Sequence, residues 1–180
     1  LLADGICVDQ YGIHEPYFPL IEALKSLYLG ERGRELIPLL TRHAPMWLLQ
    51  LPGLLDDPRL AAVQSRVAHA TPERMMRELA DFLHVASAGY AIVRRLEDIQ
   101  WSDAATLAWL AFVIRRAGFA RLLIIATCRE PPGAQASAAL ASLRRELSLH
   151  ELAEEHALGA WTLAEIGQYV EQRLAIAPPP

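Results

Sequence analysis

Tyr90-Ala91-Ile92-Val93-Arg94-Arg95-Leu96-Glu97-Asp98-Ile99-Gln100-Trp101-Ser102-Asp103 is the stretch on which the reading of the fold turns. Ala88-Gly89 ends a helix, and residues 90 to 96 then carry the β-branched and aromatic side chains of a strand. That strand meets two adjacent acids, Glu97 and Asp98. Ser102 or Asp103 can cap a following helix that runs to about Ala117. Beyond it, Arg121-Leu122-Leu123-Ile124-Ile125-Ala126-Thr127 is an apolar run of strand length, as expected for a fully buried parallel strand. Strands that alternate with helices in this way imply an α/β fold with a mostly parallel sheet and helices on both faces.

Upstream, Leu1 to Val8 reads as a buried strand already under way, and Pro16 can open a helix over 16 to 29 with Phe18, Ile21, Leu24, Leu27 and Tyr28 at helical spacing. A second helix is expected over 32 to 42, with Leu36, Leu39 and Leu40 inward. Prolines 45, 52 and 58 with Gly53 then break any long element, yet Met46, Trp47, Leu48 and Leu51 are too apolar to be left in water, so a packed connector is expected. Leu60 to Ala68 can form a helix. Thr71 as N-cap with Pro72 at the first helical position starts a stronger one, reaching about His84 or Ala86 and burying Met75, Leu79, Phe82 and Leu83. Downstream, Pro131-Pro132-Gly133 marks a loop. A helix over 136 to 147, a short strand-like segment around 149 to 158 and a helix from Thr162 to Leu174 complete the order.

Whole-chain properties narrow the function. The chain has 180 residues, 53% of them hydrophobic, enough for one main body with a substantial core. Its formal charge is −4 and its 17 basic residues are dispersed among acids, so no direct nucleic-acid contact is expected. No apolar run reaches the roughly 20 residues that cross a bilayer, and no basic leader precedes the first strand; a cytoplasmic location without membrane contact is the expectation. Cys7 and Cys128 lie far apart without zinc-ligand spacing and read as free, mostly buried thiols. His14, His43, His69, His84, His150 and His156 fall in no HExxH or triad-like setting.

The chemistry is concentrated at Glu97-Asp98. In open α/β sheets, ligands bind at the carboxyl ends of the strands, which is where these acids sit. In phosphoryl-transfer sites one acid at such a point holds Mg²⁺ or its water shell, and a neighbour orients or deprotonates the attacking water; either acid could take either role here. By itself, an acidic pair ahead of a helix is more often a solvated turn or a dipole-favourable cap.

The surrounding words decide between these. Leu96 to Asp103 resembles the phrase Leu-Glu-Asp-Leu-His-Trp-Ser-Asp of STAND/AAA-like P-loop ATPase domains, which occur in bacterial signalling and transcription regulators; Ile99 and Gln100 are the differences. The likeness extends to Cys7-Val8-Asp9-Gln10-Tyr11-Gly12, Glu15-Pro16-Tyr17, His43-Ala44-Pro45 with Trp47-Leu48, Gln50-Leu51-Pro52 and Glu73-Arg74-Met75. Residues 122 to 129 are similar to the family's next strand, whose polar end senses the terminal phosphate. The resemblance implies that role for Thr127, with Arg129 beside it, whereas without it both read as an ordinary strand end. Trp161 to Ile166 resembles the start of the family's helical lid, with Thr162 and Glu165 spaced as a capping box. The implied organisation is a partial ATPase core over 1–160 and the beginning of a lid over 161–180. ATP and Mg²⁺ are the implied cofactors, with Glu97 and Asp98 as catalytic and metal residues of an intact domain and Thr127 and Arg129 as nucleotide-binding residues. Other domains of the same regulator, or protein partners, are the implied contacts, with oligomerisation of the intact protein.

Two features depart from the family. No GxxxxGK[ST] occurs, so the backbone cradle and lysine that hold phosphates are missing from this sequence. The family places them just ahead of the position of Leu1, with the first strand, so a preceding segment is expected to carry them and this chain is not expected to hydrolyse ATP alone. Arg94 and Arg95 also stand where the family's strand is apolar. Adjacent strand residues face opposite sides, so one guanidinium points into the core at a cost of several kcal/mol unless it is paired. That favours a degenerate ATPase scaffold, or else a local shift that lets both guanidinia reach solvent or acids such as Glu97. The alternative function is a non-catalytic interaction module on this scaffold, with Met46, Trp47 and Leu48 as its contact surface.

Overall fold

The computed structural model describes residues 1–8, 15–51, 61, 63–64, 71–116, 118, 121–129 and 137–174. Three parallel strands, β1 (Leu2–Ile6), β2 (Ile92–Glu97) and β3 (Leu122–Ala126), pair in the order β1-β2-β3. The helices are α1 (Phe18–Leu29), α2 (Gly33–His43), the short α3 (Pro45–Leu48), α4 (Pro72–Gly89), α5 (Ala104–Arg115), α6 (Ala138–Leu149) and α7 (Leu163–Leu174). The α/β alternation and the parallel sheet expected from the sequence are present.

The register aligns Ala3 with Arg94 and Gly5 with Leu96, and on β3 Leu122 with Ile92 and Ile124 with Arg94. This face packs on helices: Ala3, Ile92 and Leu96 are buried together with Leu20, Ala23 and Leu24 of α1 and Leu107, Trp109 and Leu110 of α5. Approach is closest at Gly5, where an added Cβ would lie 2.2 Å from the Pro19 carbonyl oxygen, so only glycine lets β1 and α1 meet. The opposite face differs. Leu2, Ile6, Leu123 and Ile125 are between 44% and 55% exposed, so among the described residues helices cover one face of the sheet rather than both. For the same reason β3 is not the fully buried strand its composition suggests. An apolar run shows that a strand can be buried on both sides, not that something covers both.

Local chemistry explains several of the helix starts. Thr71 Oγ1 accepts the Arg74 backbone N–H at 3.3 Å, with Pro72 at the first helical position, and α4 runs on to Gly89, past the expected stop. Ser137 caps α6 through the Leu140 N–H, and Thr162 and Glu165 form the expected capping box on α7. The core face of α1 is Leu20, Ala23, Leu24 and Leu27, so Phe18, Ile21 and Tyr28 flank it instead of forming it. Leu36 and Leu40 of α2 point inward as expected, and Leu39 is half-buried.

The connector after α2 is packed. Met46, Trp47, Leu48 and Leu51 are all buried, with Trp47 donating its indole N–H to the Met75 carbonyl at 2.7 Å. Buried Glu78 accepts the Met46 N–H at 2.8 Å and pairs with Arg74 at 2.9 Å, tying the start of α3 to α4. These residues are core and not the contact surface of the alternative reading. Two further expectations are corrected. Residues 152–160 form no strand and are exposed, with Glu155 held by Arg144. Cys7 is buried, but Cys128 is exposed. The expected turn at 9–14, the prolines at 52 and 58, most of the helix over 60–68, the Pro131-Pro132-Gly133 loop, His14 and His69 lie outside the described residues.

Candidate functional site

The carboxyl ends of β2 and β3 bring Glu97, Asp98, Thr127 and Arg129 to one edge of the sheet. Glu97 is the last residue of β2, and its carbonyl accepts the Cys7 N–H at 2.9 Å. Asp98 then leaves the strand in the left-handed region (φ 56°, ψ 49°), a conformation that aspartate tolerates better than most residues. Thr127 pins this turn. Its hydroxyl accepts the Asp98 N–H at 3.0 Å and its carbonyl accepts the Ile99 N–H at 2.8 Å. In this structure the expected sensor threonine is first of all the residue that shapes the acidic turn.

Both carboxylates are engaged by arginines. Arg129 grips Asp98 through two parallel bonds, Nε to Oδ1 at 2.9 Å and Nη2 to Oδ2 at 2.8 Å. Hydrogen bonding from Arg129, then from Gln100, holds the Asp98 carboxyl below its usual range, and the same pair holds the Arg129 guanidinium up. Glu97 pairs with Arg95 at 3.3 Å, and the same Arg95 Nε lies 3.1 Å from Asp4 on β1.

Gln100 was visible in the sequence only as a departure from the family phrase. Its Nε2 donates to Asp98 Oδ1 at 3.2 Å while its Oε1 accepts the Arg129 backbone N–H at 3.0 Å, so one side chain bridges the acid and the arginine's main chain. Asp103, rather than Ser102, caps α5. Its Oδ1 accepts the Thr106 N–H at 2.8 Å and the Tyr17 N–H at 3.1 Å, and its Oδ2 accepts the Thr106 hydroxyl at 2.6 Å. Tyr17 itself has φ 66°, so a buried carboxylate stitches a left-handed residue before α1 to the start of α5.

Behind the acids, Cys7 is 3% exposed, and burial, with the fields of Asp103 and Asp98, pushes its thiol up to about 11. It is an inert core thiol. The two strand arginines diverge as strand geometry requires. Arg95 faces the open side and its acids. Arg94 is buried, with Nη2 donating to the Leu20 carbonyl at 3.1 Å, the guanidinium 4.9 Å from the Trp109 ring centroid, and Nε without a partner. The expected local shift that carries both guanidinia to solvent or acids therefore holds for Arg95 alone.

These residues do not make a magnesium site on their own. Magnesium prefers one or two carboxylates together with substrate phosphates, whereas here both acids are bound to guanidinium groups, and the sequence supplies no phosphate loop. Among the described residues no group of three or more His, Cys, Asp or Glu could hold a metal ion. No described helix is long and apolar enough to cross a membrane. No protein-family model matches the chain, and no curated protein or solved structure matches it.

Proposed function

We propose that the chain is part of a nucleotide-dependent switch domain of the STAND/AAA-like P-loop class, from a cytoplasmic bacterial regulator that passes nucleotide state to its other domains or to protein partners. The observation that carries this reading is the convergence of Asp98, Thr127 and Arg129 at the carboxyl ends of two adjacent parallel strands, with Glu97 beside them. Ligands of open α/β sheets bind at that edge, and three of the four residues interact directly before any ligand is present.

In an intact domain the phosphate-binding loop would arrive on a further parallel strand. β3 lies at the edge of the described sheet and carries Leu123 and Ile125 exposed, so it has both the backbone edge and the apolar face to receive one. ATP and Mg²⁺ belong to that completed domain, in which Glu97 and Asp98 would face the metal and Thr127 and Arg129 the nucleotide. Hydrolysis by these 180 residues is not part of the proposal, because the phosphate cradle is missing from the sequence.

The test is a longer chain that carries a phosphate-binding loop ahead of Leu1. Mg-ATP should raise its unfolding temperature, and the Asp98→Asn variant should lose that shift; no stabilisation by Mg-ATP sinks the reading. The second reading, a non-catalytic interaction module, is favoured by the uncovered face of Leu2, Ile6, Leu123 and Ile125. It predicts that this face is buried by a protein partner whether or not nucleotide is present.

A further inference from the structure

We propose that the chain forms a closed dimer in which α7 of each copy lies along the open face of the other copy's sheet, with Arg173 set against the acids at the carboxyl end of that face. The exchange goes beyond both readings of function and holds under either. It leaves the backbone edge of β3 free for a further strand.

Both halves of the contact are present in one chain, and neither is used there. α7 begins with a complete capping box, and Trp161 packs edge-on against Tyr169 with ring centroids 5.2 Å apart. Yet none of its described side chains is buried, Leu163 being 88% and Ile166 43% exposed. A helix of 12 residues is marginal by itself in water and draws its stability from packing an apolar face. Leu163, Ile166 and Val170 supply that face, at spacings of three and four residues. The sheet has the matching lack. Parallel sheets are ordinarily covered on both faces, and here Leu2, Ile6, Leu123 and Ile125 stand open.

Size and charge fit one helix to this face in one direction. α7 is about 18 Å long and about 10 Å wide. Strands of five or six residues span about 17–20 Å, and three of them about 10 Å from first to last. The register sets Leu2, Val93 and Leu123 in an apolar row at the amino-terminal end of the face, with Asp4 and Arg95 in the next row and Ile6 beside Glu97 in the third. Arg95 serves two carboxylates, Asp4 and Glu97, so the carboxyl half of the face carries one negative charge more than it balances. Along α7 the same order recurs. Leu163 and Ile166 come first, and Arg173 stands two turns beyond Ile166 on the same side, in the last turn. Glu165 and Glu171 project away from this stripe. With Leu163 over the apolar row and the helix parallel to the strands, Arg173 lies about 15 Å further along. Glu97 lies about 13 Å from Val93 in the same direction, so the cation meets the surplus acid.

The tether selects a second copy. α6 packs on the helix-covered side of the sheet through Leu140 and Leu143, and its Arg144 holds Glu155 there. From Glu155 to Leu163 the chain advances eight residues, at most about 28 Å when fully extended. That length would have to pass round an edge of the sheet to reach the open face of the same chain, whereas another copy can meet the arm where it stands. Exchange of an identical element makes the contact reciprocal, and two such contacts close the pair.

Analytical ultracentrifugation of the 180-residue chain over a concentration series tests the exchange. Wild type should sediment as a dimer. Ile166→Asp on the arm, or Leu163→Asp in its place, and Leu123→Lys on the face should each weaken dimerisation at least about a hundredfold, because each puts a charge into both contacts where an apolar side chain was buried. An equimolar mixture of Ile166→Asp and Leu123→Lys should dimerise again, since one of its two contacts is intact and the other sets Asp against Lys. Arg173→Gln should weaken the dimer about fivefold and reduce its salt dependence. All these side chains are exposed in the single chain, so the variants fold, which far-ultraviolet circular dichroism checks. A monomeric wild type, a dimer that survives both the arm and the face variants, a mixture that stays monomeric, or assembly beyond two copies overturns the proposal. No nucleotide enters these measurements, so they stand or fall separately from the Mg-ATP stabilisation of the longer chain.

Discussion

Arg94 lies over the face of Trp109, its guanidinium carbon 4.9 Å from the ring centroid, and both side chains are shut inside the packed face of the sheet. A cation-π contact of this kind is worth up to about 2 kcal/mol when desolvated, and the bond to the Leu20 carbonyl adds to it. Neither supplies the counter-charge that a buried cation calls for, and Nε and the Trp109 indole N–H both lack partners. Desolvation alone pushes the Arg94 guanidinium down to about 9.

Arg94→Met should therefore stabilise the chain, by about 1 kcal/mol or more in chemical denaturation at pH 7, since apolar replacement of buried charge is often stabilising. The pH dependence has a fixed sign. The folded value lies below the unfolded one, so above about pH 9 the unfolded chain binds the extra proton and the penalty fades as pH rises. The advantage of Arg94→Met over wild type should be full below pH 9 and shrink above it. A constant difference across that range would contradict the account.

Asp103→Ala should cost about 2–3 kcal/mol, because it removes a helix cap and leaves the Tyr17 N–H and the Thr106 hydroxyl without their buried acceptor. Asp103→Asn keeps an oxygen for the cap and should lose less. Equilibrium urea unfolding measures both, and equal losses would show that the oxygen retained by asparagine contributes nothing, against the cap assigned to it.

The two cysteines should separate cleanly in native alkylation. Iodoacetamide at pH 8, read by mass spectrometry, should modify exposed Cys128 and leave Cys7 untouched until the chain is unfolded. Rapid labelling of Cys7 in the folded chain would contradict its burial and its raised pKa.

Trp47→Ala should cost about 3–5 kcal/mol, the range for truncating a large core aromatic, since Trp47 is fully buried, packs edge-on against Tyr17 and donates to Met75. Trp161→Ala should stay within about 0.5 kcal/mol, because Trp161 is 59% exposed. A comparable loss at both positions in thermal unfolding would count against the core assignment.

How far the sequence reached depended on the range of the forces involved. Helix starts at Thr71, Ser137 and Thr162 follow from bonds made within three residues, and those positions could be read directly or nearly so. The strands at β2 and β3 were legible for the same reason. What covers them was not, because composition carries no information about which face of Leu123 or Ile125 meets another element. The acid pair and the neighbouring Thr127 and Arg129 were legible as candidates. The fork from Arg129 and the bridge from Gln100 join residues about 30 positions apart, and no local pattern encodes that meeting. Arg94 shows the limit from the other side. Alternation placed one of the two arginines inward, but the Trp109 ring that receives it comes from a different element.

Asp103 gives the 96–103 phrase a second meaning. Five of its letters fall into two groups: Leu96, Ile99 and Asp103 are interior parts that join β2, α1 and α5, while Glu97 and Asp98 stand at the rim. Mutational drift would treat the groups unequally, since changing an interior letter costs the fold and changing a rim letter leaves it standing. The phrase would therefore outlast changes at its rim, and in this protein its wording records the joinery of the scaffold.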